Sequence, residues 1–567
     1  VNPRSFRARN LVRILVMGAL LTPAVASATP AAASGAPTIG SPNTATAEPP
    51  LTRPRTTPCV VTLFTDVVFA DFSPKPFAYA PPAACAGRWS KVVLEADFTV
   101  AAGRQFDRTA NLWIGGANVF FGTTAEPSRT VARSWHVERD LTDYAALLST
   151  AQAGEADLGN LVNGTYTSAI TGSARLVIYP AGHGAPAAHA ADVVLPLSAG
   201  ATGGSVALST TASTLARSFT LPPNVERAYL DVIAQSQSAD EFWYTCVPDD
   251  VASTLQSCGG SGFREAEIAI DGQPAGIAPV FPWIFTGGID PYLWQPIPGL
   301  HSLSFQPHRV DLTPFAALLS DGRPHEVAVG VFNANNYFAA TATLLLYLDH
   351  GSTRVTGGIT RNTLAAAPAP VVKEDLKTAA DGTTSGTVTV SASRRFAIEG
   401  WAATSHGRVR TTVEERVDFV NRQTFTISAA SYAQQIAQST TFESRSRSDE
   451  RGRRRERLRQ SSWPLTIGFV ATTNADGSSS QVTTVRQEDE SSHLTSLDGL
   501  PVDFAVSTNV VSNADTLSFS STGAFLGPSN QSSTQDYFAA DVSGCFSRSL
   551  ASAAGLLTAV KDGALCW

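Results

Sequence analysis

The chain has 567 residues, of which 16% are charged and 43% hydrophobic, and a formal net charge of -7. So long a chain exceeds what one hydrophobic core supports, and two to four domains are expected. The mild negative balance argues against a nucleic-acid partner. Low charge with many β-branched residues favours all-β domains over helical ones.

In chain order, the first segment reads as an export signal covering residues 1–28. Arg4, Arg7, Arg9 and Arg13 form a basic start, Leu11 to Leu21 is a short apolar stretch, and Ala24-Val25-Ala26 and Ala26-Ser27-Ala28 are small-residue cleavage sites. The apolar run is too short to span a bilayer comfortably, and no other stretch is long and apolar enough, so no membrane association is expected. Val1 suggests an alternative start codon and hence a bacterial source. Residues 29–56, rich in Ala, Pro, Thr and Gly, read as a flexible leader.

Residues 57–215 form a first module. Lys91 to Phe98 alternates like a half-buried strand, and Arg175 to Tyr179 looks fully buried. Residues 216–355 form a second, with Arg227 to Ile233 an early strand and Ala340 to Asp349 the last. Turn residues separate these runs at intervals typical of β-sandwiches. The two modules are copies. Asp140-Leu141-Thr142-Asp143-Tyr144-Ala145-Ala146-Leu147-Leu148 recurs as Asp311-Leu312-Thr313-Pro314-Phe315-Ala316-Ala317-Leu318-Leu319. Phe106-Asp107-Arg108, leading into the strand-like Ala110 to Ile114, recurs in layout as Phe263-Arg264-Glu265, leading into Ala266 to Ile270. Asp140 and Asp311, each followed by Leu-Thr, read as turn or capping residues.

Residues 356–371 read as a linker and 372–567 as a C-terminal β-rich domain, with Thr411 to Val420 one of its strands. Arg445 to Arg459 carries eight arginines interrupted by Asp449, Glu450 and Glu456. The plain reading of this run is a solvated hairpin or helix turn with internal ion pairs; the other is an anion-binding patch. The six cysteines fall as close pairs, and an even count in an exported chain reads as disulfides: Cys59–Cys85, Cys246–Cys258 and Cys545–Cys566. No cofactor and no metal is expected. The nine histidines show no ligand spacing, and there is no Gly-x-Ser-x-Gly elbow, P-loop or His-Glu-x-x-His.

On residues alone, Asp107 beside Arg108 is an ordinary strand-end ion pair, and Asp240 and Glu241 are loop charges. Longer motifs change that reading. Thr123-Thr124-Ala125-Glu126-Pro127, Asp240 to Pro248, Phe263 to Gly276 and Phe285 to Trp294 resemble the peptide-N-glycanases of the A type, the peptide-N4-(N-acetyl-β-glucosaminyl)asparagine amidases, over about residues 57–355. A more distant likeness is to the F type, which folds as two eight-stranded jelly rolls. The implied fold is all-β: two tandem jelly-roll-like sandwiches plus the C-terminal β-rich domain. The run Phe106-Asp107-Arg108-Thr109-Ala110-Asn111 matches the F-type motif that supplies the principal catalytic carboxylate, which nominates Asp107; Glu241-Phe242-Trp243 nominates Glu241 as the second.

The implied reaction cleaves the amide between Asn and the innermost N-acetylglucosamine of an N-glycopeptide or glycoprotein. It needs an activated water, a proton for the leaving nitrogen and oxyanion stabilisation. Arg108 and Arg264 are candidates to orient a carboxylate or polarise the carbonyl. Trp113, Trp243, Tyr244, Trp283 and Trp294 offer rings for sugar stacking, although Trp113 reads more readily as core. Glu126, Asp240 and Asp290 sit in the matching segments as substrate-binding candidates. The competing readings are a non-catalytic glycan-binding protein and a glycoside hydrolase with two carboxylates.

Overall fold

The structure is a computed structural model that describes residues 37–198 and 200–563. The export-signal reading and Cys566 lie outside the described residues. The protein is all-β, with 58% of the described residues in strands and 6% in helices.

The first module contains β1 (Cys59–Phe69), β2 (Lys75–Tyr79), β3 (Trp89–Val100), β4 (Thr109–Ile114), β5 (Ala117–Thr123), β6 (Arg133–Asp140), β7 (Gln152–Leu158) and β8 (Ile170–Pro180). These make two antiparallel sheets, ordered β1-β8-β3-β6 and β2-β7-β4-β5. After β9 (Val193–Pro196), the second module contains β10 (Val206–Leu208), β11 (Thr214–Thr220), β12 (Val225–Gln237), β13 (Glu265–Ile270), β14 (Gln273–Pro279), β15 (His308–Asp311), β16 (Pro324–Phe332) and β17 (Tyr337–Leu348). Its sheets run β10-β17-β12-β15 and β11-β16-β13-β14, the same order strand for strand. The repeated segments hold the same place: Asp140 Oδ1 accepts the Thr142 N–H at 2.9 Å and Asp311 Oδ1 the Thr313 N–H at 3.0 Å, each opening a short helical turn. Both aspartates are structural, as their spacing implied.

The Leu344–Leu348 run is apolar throughout because β17 is covered on both sides. Leu344 and Leu346 enter the second module's core, while Leu345 and Tyr347 join Tyr229 in the first module's core. Arg309 of β15 clamps this seam. It pairs with Asp231 at 2.6 and 2.8 Å and with Asp143 of the first module, where the second copy has Pro314.

The remaining strands are β18 (Thr356–Asn362), β19 (Val371–Thr378), β20 (Thr384–Thr404), β21 (Gly407–Ile427), β22 (Ser431–Glu450), β23 (Arg453–Thr473), β24 (Ser479–Leu497), β25 (Leu500–Phe519), β26 (Phe525–Asp541), β27 (Gly544–Ala553) and β28 (Leu556–Asp562). They form one 11-stranded sheet. Its apolar face shares a core with the second module: Val390, Phe396, Val417, Phe419 and Ile467 lie in one cluster with Ile268 and Val329. Two segments differ from the sequence reading. The 356–371 stretch supplies β18, which pairs with β20, because its backbone groups find a free sheet edge. The described part of the leader is tied down: Ala45 and Ala47 are buried, the Ala47 N–H donates to Gln535 Oε1 at 2.7 Å, and Arg53 pairs with Glu95 and Glu138 at 2.9 and 2.7 Å.

The buried face of the large sheet is also rich in side-chain amides, and these cover irregular loops. Asn421 donates to the Tyr244 carbonyl at 2.8 Å, Gln423 to Cys246 at 2.8 Å and Gln434 to Thr245 at 3.2 Å. Gln487 donates to Pro282 at 3.0 Å, and Asn513 to Leu293 and Ile297 at 2.5 and 3.2 Å. Loop carbonyls removed from water need such partners. Asn421→Ala leaves the Tyr244 carbonyl unsatisfied and is expected to cost about 1–3 kcal/mol, read as a lowered thermal midpoint; an unchanged midpoint would contradict this role.

Candidate active site

Four loops converge at one end of the two sandwiches. They are the β3–β4 and β5–β6 loops of the first module and their counterparts, β12–β13 and β14–β15, of the second.

In the β3–β4 loop, Gln105 is buried and donates to the Leu161 and Ser168 carbonyls at 3.0 and 3.2 Å. Its Oε1 accepts from Arg108 at 2.9 Å, and Arg108 also bonds the Asp107 carbonyl at 3.0 Å and lies 3.0 Å over the centre of the Phe106 ring. The guanidinium therefore braces the loop and lends Asp107 positive potential, without a bidentate grip on a carboxylate. Asp107 is half-buried just before β4, where its N–H donates to Glu126 Oε1 at 3.0 Å. The Glu126 carboxyl and the Gly287 N–H both hydrogen-bond toward the Asp107 carboxylate. A Cβ at Gly287 would lie 2.6 Å from Asp107 Oδ1 and closer still to Glu126 Oε1, so a side chain there would push the two carboxyls out of place. Thr286 closes the contact by donating to the Thr124 carbonyl at 2.5 Å.

Glu241 follows β12 and lies near enough to Asp107 to feel its charge. Its loop is pinned by the neighbouring Asp240, which is fully buried. Asp240 accepts from Arg264 at 2.8 and 3.2 Å and from the N–H groups of Asn335, Asn336 and Tyr337 at 3.0, 2.7 and 2.9 Å. Asp240 and Arg264, expected at the substrate, are thus corrected to loop anchors, because a buried ion pair so fully bonded has nothing left to offer. Glu265, next in line, is buried against Arg394 of the large sheet at 3.2 Å. The second copy's charged strand end has turned inward.

The site acids are displaced from ordinary carboxylate values. Burial raises Asp107, opposed by the Gly287 N–H and Arg108. Burial and then the Asp107 charge push Glu126 up to about 8, and the same two causes push Glu241 up to about 7. Asp107 and Glu126 lie together as a coupled pair of raised acids, the geometry of carboxyls that share protons.

The expected sugar-stacking rings are elsewhere. Trp113, Trp243, Tyr244, Trp283 and Trp294 are at most 5% exposed. Trp243 packs on Phe419 of β21, and the Trp294 indole donates to the Gly288 carbonyl at 2.8 Å. Their bulk serves to fill the space between loops and sheet. The rings that border the acids are Phe106, 42% exposed, with Tyr166 edge-on at 4.9 Å, and Tyr292, stacked at 5.7 Å on Phe525 of β26. Phe106 and Tyr292 each lie inside a motif already singled out in the sequence; Tyr166 and Phe525 carry no local signal.

Asp290 is buried and caps its turn by accepting the Tyr292 N–H at 2.8 Å. Its other oxygen faces Asp515 of β25, with no donor from a third residue on either. It too is a loop anchor. The Cys59–Cys85 and Cys246–Cys258 disulfides are both formed, the second bracing the Glu241 loop.

The fold and site define a class: a tandem β-sandwich protein with a carboxyl cluster at the seam of its two copies. A family model described as peptide N-acetyl-beta-D-glucosaminyl asparaginase amidase A matches residues 49–365, and one described as the PNGase_A C-terminal domain matches residues 387–465. The chain belongs to the peptide N-acetyl-beta-D-glucosaminyl asparaginase amidase A family. It is 33% identical over 383 residues to peptide-N4-(N-acetyl-beta-glucosaminyl)asparagine amidase A of Prunus dulcis, across 64% of this chain and 66% of that protein, just under two thirds of its length. That relative is a plant protein and lends no support to a bacterial source. Solved structures of PNGF-II in C2 and P21 crystals align over 52% of this chain and 66% of theirs, at 12% and 13% identity and TM-scores of 0.35 and 0.34, and do not bear on the fold.

Two buried carboxyls facing each other must share a proton. Burial and the neighbouring Asp290 charge raise Asp515 to about 8. A raised carboxyl stabilises the fold fully below the unfolded value near ~4, and the contribution is lost as pH climbs through the folded value. The thermal midpoint is expected to fall between pH 5 and 8, and to fall less in Asp515→Asn, whose amide donates without titrating. An equal slope in both proteins would refute the shared proton.

Proposed function

We propose that the chain is an exported glycoamidase. It hydrolyses the amide between an Asn side chain and the innermost N-acetylglucosamine of N-glycopeptides and glycoproteins. One observation carries the reading: Asp107 and Glu126 meet against Gly287, and Glu241 lies within reach of the Asp107 charge, a cluster of raised acids in which one can act as base while another keeps its proton. Family membership and the Prunus dulcis relative, named as such an amidase, support it. Two disulfides suit an oxidising compartment, and no helix among the described residues is long and apolar enough to cross a membrane. The strand order supports reading each sandwich as a jelly roll.

Asp107 draws a proton from water as the water oxygen attacks the side-chain carbonyl carbon. Glu126 and the Gly287 N–H hold the Asp107 carboxylate in place and keep it ionised. As the C–N bond breaks, Glu241 gives its proton to the leaving nitrogen. The products are Asp and a glycosylamine, and water then releases ammonia from the glycosylamine to leave the reducing sugar. Phe106 and Tyr292 present the rings nearest the acids, where a pyranose C–H face can stack.

An N-glycopeptide is expected to yield free glycan and a peptide carrying Asp at the former site, read by mass spectrometry. Retained Asn, with or without a sugar stub, would sink the amidase. Asp107→Asn is expected to lower kcat by about 10²–10⁴-fold with an unchanged thermal midpoint. The pH profile follows from the same assignment. Turnover needs Asp107 ionised and Glu241 protonated, so it declines as pH rises through about 7. In Glu241→Gln residual activity is expected to lose that alkaline limb; an unchanged limb would remove Glu241 as the acid.

A further inference from the structure

The arginine run from Arg445 to Arg459 takes no part in the site above. The β22–β23 register, which sets Ser444 opposite Arg459, Ser446 opposite Arg457 and Arg447 opposite Glu456, divides it between two faces. On one face Arg445 and Arg447 pair with Glu456, both at 3.4 Å, and Arg447 with Glu414 at 3.3 Å. That half is the solvated, ion-paired hairpin its composition implied. On the other face Arg457, Arg459, Ser461 and Trp463 line a cavity of about 370 Å³ between the large sheet and the second module.

The carboxylates of the lining are already engaged. Arg309 is already neutralised by Asp231 and Asp143. Asp489 bonds His301 at 2.7 Å and the Trp463 indole at 3.1 Å, and Asp311 accepts from Ser446 at 2.8 Å and the Thr313 N–H at 3.0 Å. Arg457 donates one N–H to the Tyr229 hydroxyl at 2.8 Å, with Asp311 within reach of its charge, and Arg459 makes no ion pair among the described residues, the buried Glu415 carboxyl being the acid within reach of it. The Trp283 indole N–H and His308 Nε2 are buried in the wall with no partner, and Trp283 itself is only 5% exposed. Unmatched donors on two guanidiniums call for an anion. Half-buried Trp463, backed by Phe281 and Phe442, offers an apolar wall to a ring, and the serines offer hydroxyls. The volume suits one substituted six-membered ring. Arg459 is exposed and marks the entrance.

We propose that this cavity is a second binding site, for an acidic monosaccharide: a hydroxylated six-membered ring bearing one carboxylate. The carboxylate lies on Arg457 and Arg459 and the ring against Trp463. The inference is independent of the amidase reading, and its failure would leave glycopeptide cleavage untouched.

Sodium glucuronate titrated into the full chain is expected to bind saturably, shifting tryptophan emission and giving a calorimetric isotherm. Arg457→Gln and Arg459→Gln are each expected to weaken binding by about tenfold or more. Arg459 is exposed, so its variant keeps the fold even if Arg457→Gln does not. Absence of saturation, equal binding of glucose or of acetate, or wild-type affinity in Arg459→Gln would each overturn the site.

Discussion

The site depends on hydrogen bonds between side-chain amides of one β-sheet and the backbone carbonyls of loops that belong to another domain. The loops that carry Glu241 and Gly287 contain no strand, so their peptide groups have no ladder of their own. Buried without partners, those groups would make the loops unaffordable in free energy. Asn421, Gln423 and Gln434 serve the first loop; Gln487 and Asn513 serve the second. An amide is suited to this task because it donates without carrying charge, and on a long strand its position is set by a ladder on both sides. The C-terminal sheet is thereby part of the site's framework, although it places no side chain on Asp107.

Duplication explains where the site lies, and divergence explains why it is single. Both copies end a central strand with an aromatic and two charged residues. In the first copy Asp107 stays half-exposed and meets Glu126. In the second, Arg264 is sealed over Asp240 and Glu265 against Arg394. One strand end stays open at the acid cluster; its twin became the anchor of the loop that carries Glu241. The same asymmetry recurs at the seam, where Asp143 answers Arg309 and its counterpart is Pro314.

The acids acquire their chemistry from crowding. Glu126 and Glu241 each lie within reach of the Asp107 charge, and Arg108, the cation beside Asp107, is partly engaged by the loop backbone and Gln105. Burial, joined at Glu126 and Glu241 by the Asp107 charge, raises all three acids above ordinary carboxylate values, so protons are retained in the cluster at higher pH than on exposed carboxyls. Gly287 is the small residue that permits this approach; its bare Cα leaves room for two carboxyls to meet.

Local patterns carried the all-β class, the duplicated modules, the positions of β3, β8, β12, β17 and β21, two of the disulfides and the structural part played by Asp140 and Asp311. Each of these follows from alternation, turn chemistry or repetition within a few residues. The motif around Asp107 was equally legible, since its residues are contiguous. Tertiary structure alone decided which aromatics face solvent, that Asp240, Arg264 and Asp290 are anchors, and that residues 37–56 and 356–371 are held in place. It also decided that Glu126 is the partner of Asp107. Burial and charge sharing are properties of space: Glu126, Glu241 and Gly287 come from loops far apart in the chain, and only the packing of two sandwiches against one long sheet brings them to Asp107.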